Sequence, residues 1–405
     1  LVSLIAIIAG FFVINSKMTF PGWVSVLPVM GSCFLILFGG GLSNRLLLLD
    51  NRFLISLGLI SYPLYLWHWP LLVFSRIIKN DSLTSCEAGF VVFSAVVLSA
   101  VTYVILERPA RRAGNSKLLI YLLVLSLVLV GFAGYAAKRN RGFPERFPEI
   151  VSKLTDYSFG YTDLYRSGRC LIGKDQTYLD FDRECFASRG AGARRILLWG
   201  DSYAAHLYPG LMSVIGSGVK VDQLTSNACA PILGAYNDRR PNCQSTNDFV
   251  YSLIVGGGYD VVIIAANWEG YPDFSGLGST LVKVVDSGVA DIVLFGPPPH
   301  WKNTLPRELF NYFMNHRNQP IPERLSSGLS ELSGGIDERL SSVAEASGVR
   351  YVSILNLLCV ESGCLARVGD TADDLISGDN GHLTKAGSKA LFGYIRDKGA
   401  VPILF

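Results

Sequence analysis

A serine directly after an apolar run is the first candidate for chemistry in this chain. The stretch Arg195–Gly210 reads RILLWGDSYAAHLYPG, in which a short apolar run has the length of a buried strand and leads through Gly-Asp to Ser202. From Tyr203 onward the pattern is typical of a helix. Ligands of α/β sheets bind at the carboxyl edge of the strands, where the free N–H groups of a helix start also point. Ser202 is therefore a candidate nucleophile, which needs a base to take its proton.

The chain has only five histidines, so each can be weighed as that base. His382 is the best placed, because Asp379 precedes it by three residues. An Asp-x-x-His step can set the carboxylate on one imidazole nitrogen while the other faces the serine. The alternative is that Asp379 caps the following helix and His382 is a surface residue. The other four are less well placed. His68 lies in an apolar stretch, His206 one helical turn beyond the serine, His300 after three prolines and His316 in a polar loop.

These residues resemble the conserved blocks of the SGNH hydrolase family. Gly200–Ser202 (GDS) matches the nucleophile block, and Asp379 with His382 matches the last block, DxxH. Asn267, in VVIIAANW after another apolar run, matches the asparagine of the third block. The three blocks occur in the right order within 191–405.

The resemblance implies an oxyanion hole built from the Asn267 side chain and the Ser202 backbone N–H. The chain departs from the family at the second block, where TSNACAP has no glycine. Ser226 is our candidate for the third oxyanion contact, by resemblance to some extracellular sugar acetyltransferases of the family. Asn227 is a competing candidate.

Composition indicates a membrane protein. Half of the 405 residues are hydrophobic and the mean hydropathy is +0.34, which is high for a soluble enzyme. Five apolar stretches have the length of a membrane span, the first of them clipped: Leu1–Asn15, Trp23–Gly41, Phe53–Arg76, Ala88–Leu106 and Leu118–Ala137. Buried core helices are the alternative, which the short polar links disfavour. Since the chain starts inside an apolar run, we expect further helices to precede it.

The net charge of +3, without a basic stripe, argues against a nucleic-acid partner.

Basic residues predict the orientation of the spans. The link Glu107–Lys117 is the most basic and is expected to be cytoplasmic. Arg45 and Arg52, in the link two spans earlier, agree with this orientation. Counting spans from there places everything after Lys138 on the extracytoplasmic side.

Two motifs in the apolar part resemble the acyltransferase-3 family. The first is ISYPLYLWHWPLLVF, which contains Tyr62, Trp67 and His68; a kinked packing helix is its alternative explanation. The second is LERPAR, in which Glu107 and Arg111 are four residues apart and can pair on one helix face.

The two resemblances together imply a fused acyltransferase-3/SGNH protein, a family that includes O-antigen acetyltransferases. They imply acetyl-CoA as cytoplasmic acyl donor, a cell-envelope polysaccharide as acceptor and no metal. They also imply a multi-pass protein of the bacterial inner membrane, embedded in the lipid bilayer, with its SGNH domain in the periplasm. The family's catalytic histidine and Arg-x-x-Arg motif lie in early helices and have no match here.

Six of the eight cysteines lie after position 160 and form near-neighbour pairs: Cys170 with Cys185, Cys229 with Cys243 and Cys359 with Cys364. An even number in such pairs predicts disulfides and an oxidising compartment, with sequential pairing as one of many possible connectivities. A zinc site is the alternative, but these cysteines form no CxxC and have no histidine at ligand spacing.

The remainder of the chain predicts a parallel α/β sheet covered by helices on both faces. Predicted strands are Arg195–Trp199, Val219–Thr225, Asp260–Ala266, Asp291–Phe295 and Arg350–Ile354. Predicted helices are Tyr203–Val214, Asn247–Gly256, Leu277–Ser287, Arg324–Ser347 and Leu383–Lys398. We therefore expect a helical membrane bundle over 1–137, a tethering linker or extension over 138–190 and an SGNH-like domain over 191–405.

In Gly296–Lys302 (GPPPHWK), His300 and Trp301 are candidates to line an acceptor groove. The alternative is a rigid loop that packs its own aromatic side chains.

The leading functional hypothesis is an O-acetyltransferase that acts through acetyl-Ser202. A carbohydrate esterase with the same triad is the second hypothesis, since water can replace the sugar hydroxyl. A membrane protein that merely binds glycan is the third, and it requires that Ser202, Asp379 and His382 lie apart.

Overall fold

The computed structural model describes residues 2–15, 18, 22–39, 51–79, 83–112, 117–155, 160–186, 194–236, 240–271 and 273–404. The chain divides into two compact units, Leu1–Ala136 and Ala137–Phe405. The predicted boundary at 190/191, Arg45 and the end of the second predicted span at Gly41 lie outside the described residues.

The first unit is made of helices, which are apolar except for the short basic helix Arg108–Arg112. They are α1 (Val2–Val13), α2 (Val26–Gly39), α3 (Arg52–Lys79), α4 (Ser85–Thr102), α5 (Arg108–Arg112) and α6 (Lys117–Arg139), which continues into the second unit. A π-helical turn, Tyr103–Glu107, joins α4 to α5. Helix α3 continues through Pro63 and Pro70.

Among the described residues, three helices are long and apolar enough to cross a membrane: Arg52–Lys79, Ser85–Arg112 and Lys117–Arg139. Five spans were predicted; these helices match the last three, and the first two stretches, which adjoin the start of the sequence and residues outside the described ranges, stay predictions. The helices at the first two predicted spans are short, with 12 residues in α1 and 14 in α2.

The second unit is built on a parallel sheet, as the alternating pattern predicted. The strands are β1 (Leu171–Ile172), β2 (Arg194–Gly200), β3 (Val219–Ser226), β4 (Val261–Ala265), β5 (Asp291–Phe295), β6 (Arg324–Leu325), β7 (Arg350–Val352), β8 (Cys359–Val360) and β9 (Gly363–Leu365). Six of them form one sheet in the order β1-β3-β2-β4-β5-β7, with every neighbouring pair parallel. Strands β6, β9 and β8 form a small antiparallel sheet.

Helices cover both faces of the large sheet. They are α7 (Glu149–Thr155), α8 (Ser202–Ala205), α9 (Tyr208–Val214), α10 (Cys243–Val255), α11 (Leu277–Asp286), α12 (Leu305–Asn315), α13 (Leu332–Ala346), α14 (Ile354–Leu358) and α15 (Lys385–Asp397). Side chains alternate along a strand, so β2 supplies two hydrophobic cores. Ile196 and Leu198 join the core that contains Phe392 of α15, whereas Leu197 and Trp199 join the opposite one.

Several segments differ from their expected local structure; the predicted helix Tyr203–Val214, for example, is divided into α8 and α9. The predicted helix Arg324–Ser347 begins only at Leu332, because its first two residues pair with β9 and Gly328 turns the chain with φ +78°. Part of the expected tether packs into the second unit: Val151 and Leu154 of α7 are buried in its core, and β1 extends its sheet.

Gly200 ends β2 at a point where no larger residue fits. Its φ is +151°, and a Cβ there would lie 1.8 Å from the carbonyl oxygen of Ala265 in β4. Because that oxygen belongs to the central sheet, Gly200→Ala is expected to lower the free energy of unfolding by about 3 kcal/mol or more. Thermal denaturation followed by circular dichroism measures this loss. Gly216→Ala is the control, since its Cβ meets nothing within 4 Å; equal melting of the two variants would contradict the expectation.

Candidate active site

The second unit brings the predicted serine, histidine and aspartate into one hydrogen-bonded chain. The Ser202 hydroxyl lies 2.9 Å from His382 Nε2, to which it donates. His382 Nδ1 in turn donates to Asp379 Oδ2 at 2.7 Å. A nucleophile, a base and a carboxylate that orients the base are thus within hydrogen-bond reach of one another. The non-enzymatic hypothesis, which required these residues to lie apart, does not fit this geometry.

Asp379 is held by the turn that leads to His382. Its Oδ1 accepts the backbone N–H groups of Gly381 at 2.9 Å and of His382 at 2.7 Å. Burial raises the pKa of Asp379, but the hydrogen bond and charge of His382 outweigh it and hold that pKa below its ordinary value. Asp379 does not cap the last helix, because Thr384 does so by accepting the Gly387 N–H. The capping alternative for Asp379 is therefore wrong.

A buried histidine supports the residue that follows His382. His206 is 1% exposed, and its Nδ1 accepts the Leu383 N–H at 3.3 Å. Burial lowers the pKa of His206 well below its usual range, which keeps the ring neutral and Nδ1 able to accept. His206 is too far along the helix to serve as the base, as the sequence indicated, but sequence reasoning missed this supporting contact.

Asp201 joins the ends of two neighbouring strands. Its buried carboxylate accepts from the Tyr203 N–H at 2.7 Å, the Asn267 N–H at 3.0 Å and the Tyr271 hydroxyl at 2.8 Å. Burial raises the pKa of Asp201, and these hydrogen bonds oppose that rise. The carboxylate therefore positions both the serine turn and Asn267. Sequence reasoning did not assign it a role, although its place in GDS was visible.

The two oxyanion candidates lie at the carboxyl ends of the strands on either side of β2. Ser226 ends β3 and Asn267 follows β4, and β2 lies between these strands. Asn267 Oδ1 accepts the Gly270 N–H at 3.2 Å, which fixes the amide and leaves its NH₂ group as the donor. Ser226 Oγ accepts from Nη2 of Arg240 at 2.7 Å, and that arginine is fully buried. The competing candidate, Asn227, donates its backbone N–H to Ile172 of β1.

Asn267→Ala is expected to lower kcat for p-nitrophenyl acetate by about 10²–10³-fold with little change in KM, because one oxyanion donor is removed. Steady-state kinetics on the detergent-purified chain measure this. A Cβ at Gly270 would lie 2.9 Å from Asn267 Nδ2, so Gly270→Ala should displace the amide and lower kcat in the same direction. Asn356→Ala, at an exposed position of α14, is the control. A KM effect alone from Asn267→Ala would contradict the oxyanion role.

The membrane motifs form local contacts. Trp67 Nε1 donates to Thr102 Oγ1 at 2.9 Å and so joins α3 to α4. His68 Nδ1 donates within its own helix to the Tyr65 carbonyl at 2.8 Å. Glu107 Oε1 accepts from Arg111 Nε at 2.9 Å, as the four-residue spacing predicted. Tyr62, on α3, is 63% exposed. Roles for these residues on the donor side stay predictions.

Disulfides join the three pairs of cysteines that were expected. They are Cys170–Cys185, Cys229–Cys243 and Cys359–Cys364. Arg240 lies between the two cysteines of the second disulfide. In the segment Gly296–Lys302, Trp301 is 2% exposed and belongs to the core, yet it and His300 both line a surface depression, so the groove and the rigid loop both stay predictions.

The fold and the site together define an α/β protein of the SGNH type. The family described as "SGNH domain (fused to AT3 domains)", where AT3 is acyltransferase-3, matches residues 169–397, which is more than half of the chain. The chain belongs to this family.

Two relatives bear on the function. The periplasmic domain of a lipopolysaccharide acetyltransferase of Salmonella ser. Paratyphi A is 29% identical, with a TM-score of 0.53 over 59% of this chain and 94% of that domain. BcsY of Komagataeibacter xylinus, whose name describes a membrane-bound transacylase, is 29% identical over 120 residues. That match covers 27% of this chain and 30% of BcsY, so the chain spans under a third of this relative's length.

Proposed function

We propose that this chain is an O-acetyltransferase that delivers acetyl groups to hydroxyls of a cell-envelope glycan. The observation that carries the proposal is the hydrogen-bonded chain Ser202–His382–Asp379 in a domain of the SGNH family fused to AT3. The Salmonella relative, a lipopolysaccharide acetyltransferase, favours an O-antigen or related polysaccharide as acceptor.

The first half-reaction acetylates the serine. Ser202 Oγ attacks the acetyl carbonyl of the donor while His382 Nε2 takes the hydroxyl proton, which then passes to the leaving group. Asp379 orients the imidazole and stabilises its protonated form. Asn267, the Ser202 N–H and Ser226 stabilise the oxyanion, and each such donor is worth about 3 kcal/mol in the transition state.

The second half-reaction transfers the acetyl group to the sugar. A sugar hydroxyl attacks the acetyl carbonyl carbon and gives its proton to His382 Nε2. The bond between the acetyl carbon and Ser202 Oγ breaks, and the proton returns from His382 to that oxygen. The triad is thereby regenerated without net consumption of protons.

The membrane part supplies the donor in this proposal, with acetyl-CoA on the cytoplasmic side. Its basic segment after α4 includes Arg108, Arg111 and Arg112, which suits a cytoplasmic surface and an anionic donor. The three disulfides of the second unit suit an oxidising compartment, so we place that unit in the periplasm and the helices in the inner membrane.

The test uses the whole chain purified in detergent, with p-nitrophenyl acetate as donor and O-antigen polysaccharide as acceptor. Free acetate and acetylated polysaccharide are both followed, for the unaltered chain and for Ser202→Ala. Acetylated polysaccharide that depends on Ser202 supports the transferase. Serine-dependent acetate that no amount of polysaccharide diverts would replace this proposal by the esterase.

A further inference from the structure

The side chain of a buried arginine beside the end of β3 has one hydrogen-bond partner among the described residues. Arg240 is 0% exposed, and its Nη2 donates to Ser226 Oγ at 2.7 Å. The Nε and Nη1 atoms of the same guanidinium are buried and donate to no atom in the described part of the chain. Because a buried N–H group without an acceptor costs stability, this arginine is not explained by packing alone.

The guanidinium also carries a charge into the interior. Burial lowers the pKa of Arg240, and the charge of Asp175, an exposed carboxylate, opposes that fall. An arginine side chain nevertheless stays protonated in a protein. The protein therefore holds a buried cation in contact with Ser226, an arrangement that is unfavourable for stability.

The contact with Arg240 decides how the Ser226 hydroxyl can act. A guanidinium only donates, so Ser226 Oγ is the acceptor and its own proton must point elsewhere. Within the described ranges no acceptor receives that proton. A hydroxyl that accepts from a cation becomes a stronger donor, because successive hydrogen bonds polarise one another.

Ser226 lies at the edge of the sheet where the oxyanion would form. Thr225 is paired with Gly200, so Ser226 lies one residue beyond this pair on β3 and Ser202 lies two residues beyond it after β2. Neighbouring strands are about 4.8 Å apart. Asn267 follows β4, on the other side of β2. An acetyl group on Ser202 is thus flanked by one strand end with a side-chain donor on each side.

The Cys229–Cys243 disulfide joins the two turns that carry this contact. The Cys229 N–H donates to the Ser226 carbonyl at 3.2 Å, and the Cys243 N–H donates to the Arg240 carbonyl at 3.0 Å. Each residue of the hydrogen-bonded pair therefore lies three positions before one half of the disulfide. The covalent link holds the backbones of Ser226 and Arg240 near each other.

We propose that Arg240 is a positioning residue of the oxyanion hole, which turns the Ser226 hydroxyl proton toward the oxyanion and polarises that hydroxyl. The inference rests on the proposed function and adds the residue that sets its third oxyanion donor. When Ser202 Oγ adds to the acetyl carbonyl carbon, the π electron pair of the carbonyl moves to its oxygen, and the Ser226 O–H donates to the charge that develops there. The same oxyanion forms when the sugar hydroxyl attacks, so both half-reactions depend on the pair. No proton is transferred between Arg240 and Ser226.

The experiment is a double-mutant cycle on ester cleavage by the whole chain in detergent. The value of kcat/KM for p-nitrophenyl acetate is measured for Ser226→Ala, Arg240→Met and the two changes together. Ser226→Ala is expected to lower kcat/KM by about 10²-fold, through loss of an oxyanion donor, and Arg240→Met by about tenfold or more. In the Ser226→Ala background, Arg240→Met is expected to cost less than about threefold, since the hydroxyl through which it acts is already gone.

The melting temperature separates positioning from a structural role. Methionine fills a similar volume without a charge or N–H groups, so Arg240→Met is expected to melt at the same temperature as the unaltered chain or higher. Arg240→Lys keeps a charged donor and is expected to recover most of the rate that Arg240→Met loses. Arg183→Met removes the same charge from an exposed position in the turn Arg183–Phe186 and is expected to change neither the rate nor the melting temperature.

The contrary results are distinct. If Ser226→Ala cleaves the ester at the rate of the unaltered chain while cleavage still depends on Ser202, this inference is overturned and the proposed function stands. Losses that multiply in the double variant, or a lower melting temperature for Arg240→Met, overturn the inference as well, because Arg240 would then act independently of Ser226 or support the fold. Ester cleavage that does not need Ser202 would instead overturn the proposed function itself.

Discussion

Ser202→Ala is expected to lower the rate of acetyl-ester cleavage by about 10⁴-fold or more, because the acyl-enzyme route then has no nucleophile. The hydroxyl donates to His382 Nε2 at 2.9 Å, so its removal should leave the imidazole and Asp379 in place. The variant should therefore melt at nearly the same temperature as the unaltered chain. Release of p-nitrophenol from p-nitrophenyl acetate measures the rate.

Ser217→Ala is the matched control for this variant. Ser217 is exposed in the turn after α9, and its hydroxyl has no part in the site. Its replacement should leave the rate unchanged. Retention of substantial turnover in Ser202→Ala, at a normal melting temperature, would show that another group carries the acetyl transfer.

Asp379→Asn is expected to lower kcat by about 10⁴-fold, an effect as large as that of the serine, because the neutral amide no longer fixes the tautomer of His382 or stabilises its protonated form. The Asp379 carboxylate also holds the turn by accepting the N–H groups of Gly381 and His382. The amide oxygen can keep these two contacts, so the loss should fall mainly on kcat. Stopped-time assays with p-nitrophenyl acetate measure kcat and KM separately.

The same substitution has an expected effect on the pH dependence of stability. The pKa of Asp379 is lower in the folded chain than its ordinary value. A lowered carboxyl pKa contributes stability that is present above the unfolded pKa and is lost as pH falls through the folded pKa. Asp379→Asn should therefore reduce the loss of melting temperature on acidification. Asp373→Asn, in an exposed position nearby, is the control; identical acid profiles for the two variants would contradict this expectation.

The hydrogen-bonded residues Ser202, His382 and Asp379 were predictable because the segments that carry them have strong local sequence patterns. A short apolar run followed by Gly-Asp-Ser fixes the strand, the turn and the serine together, and DxxH places a carboxylate beside an imidazole whatever the distant packing. Parallel strands bring such turns to one edge of the sheet, so Ser202 and Asn267 were expected at neighbouring strand ends. The register of β2 with β4, Gly200 opposite Ala265, agrees with that expectation.

Contacts between segments far apart in sequence were not predictable. The hydrogen bond from Arg240 to Ser226 joins residues 14 positions apart on either side of Cys229, and no local pattern encodes that contact. The contact of His206 with Leu383 joins residues 177 positions apart. The pairing of His300 with Glu269 likewise required the order of β4 and β5 in the sheet.

One helix was not predicted, for a different reason. Helix α12 buries Leu305, Leu309 and Phe313 at four-residue spacing, yet no helix was predicted there, and His316, which follows it, was interpreted as part of a polar loop. Its periodic signal was present but was outweighed by composition. In the membrane part, composition predicted apolar helices correctly, and three of them have the length of a membrane span within the described residues.

The most direct test of the proposed acetyl-Ser202 mechanism is to trap the acetyl group on the protein. The detergent-purified protein is mixed with p-nitrophenyl acetate, quenched with acid before the steady state and digested, and the peptide containing Ser202 is examined by mass spectrometry. We expect an acetyl group on Ser202 that forms and decays at rates compatible with turnover, and we expect none in Ser202→Ala. Turnover without acetyl-Ser202, or with the acetyl group on a different residue, would contradict the mechanism.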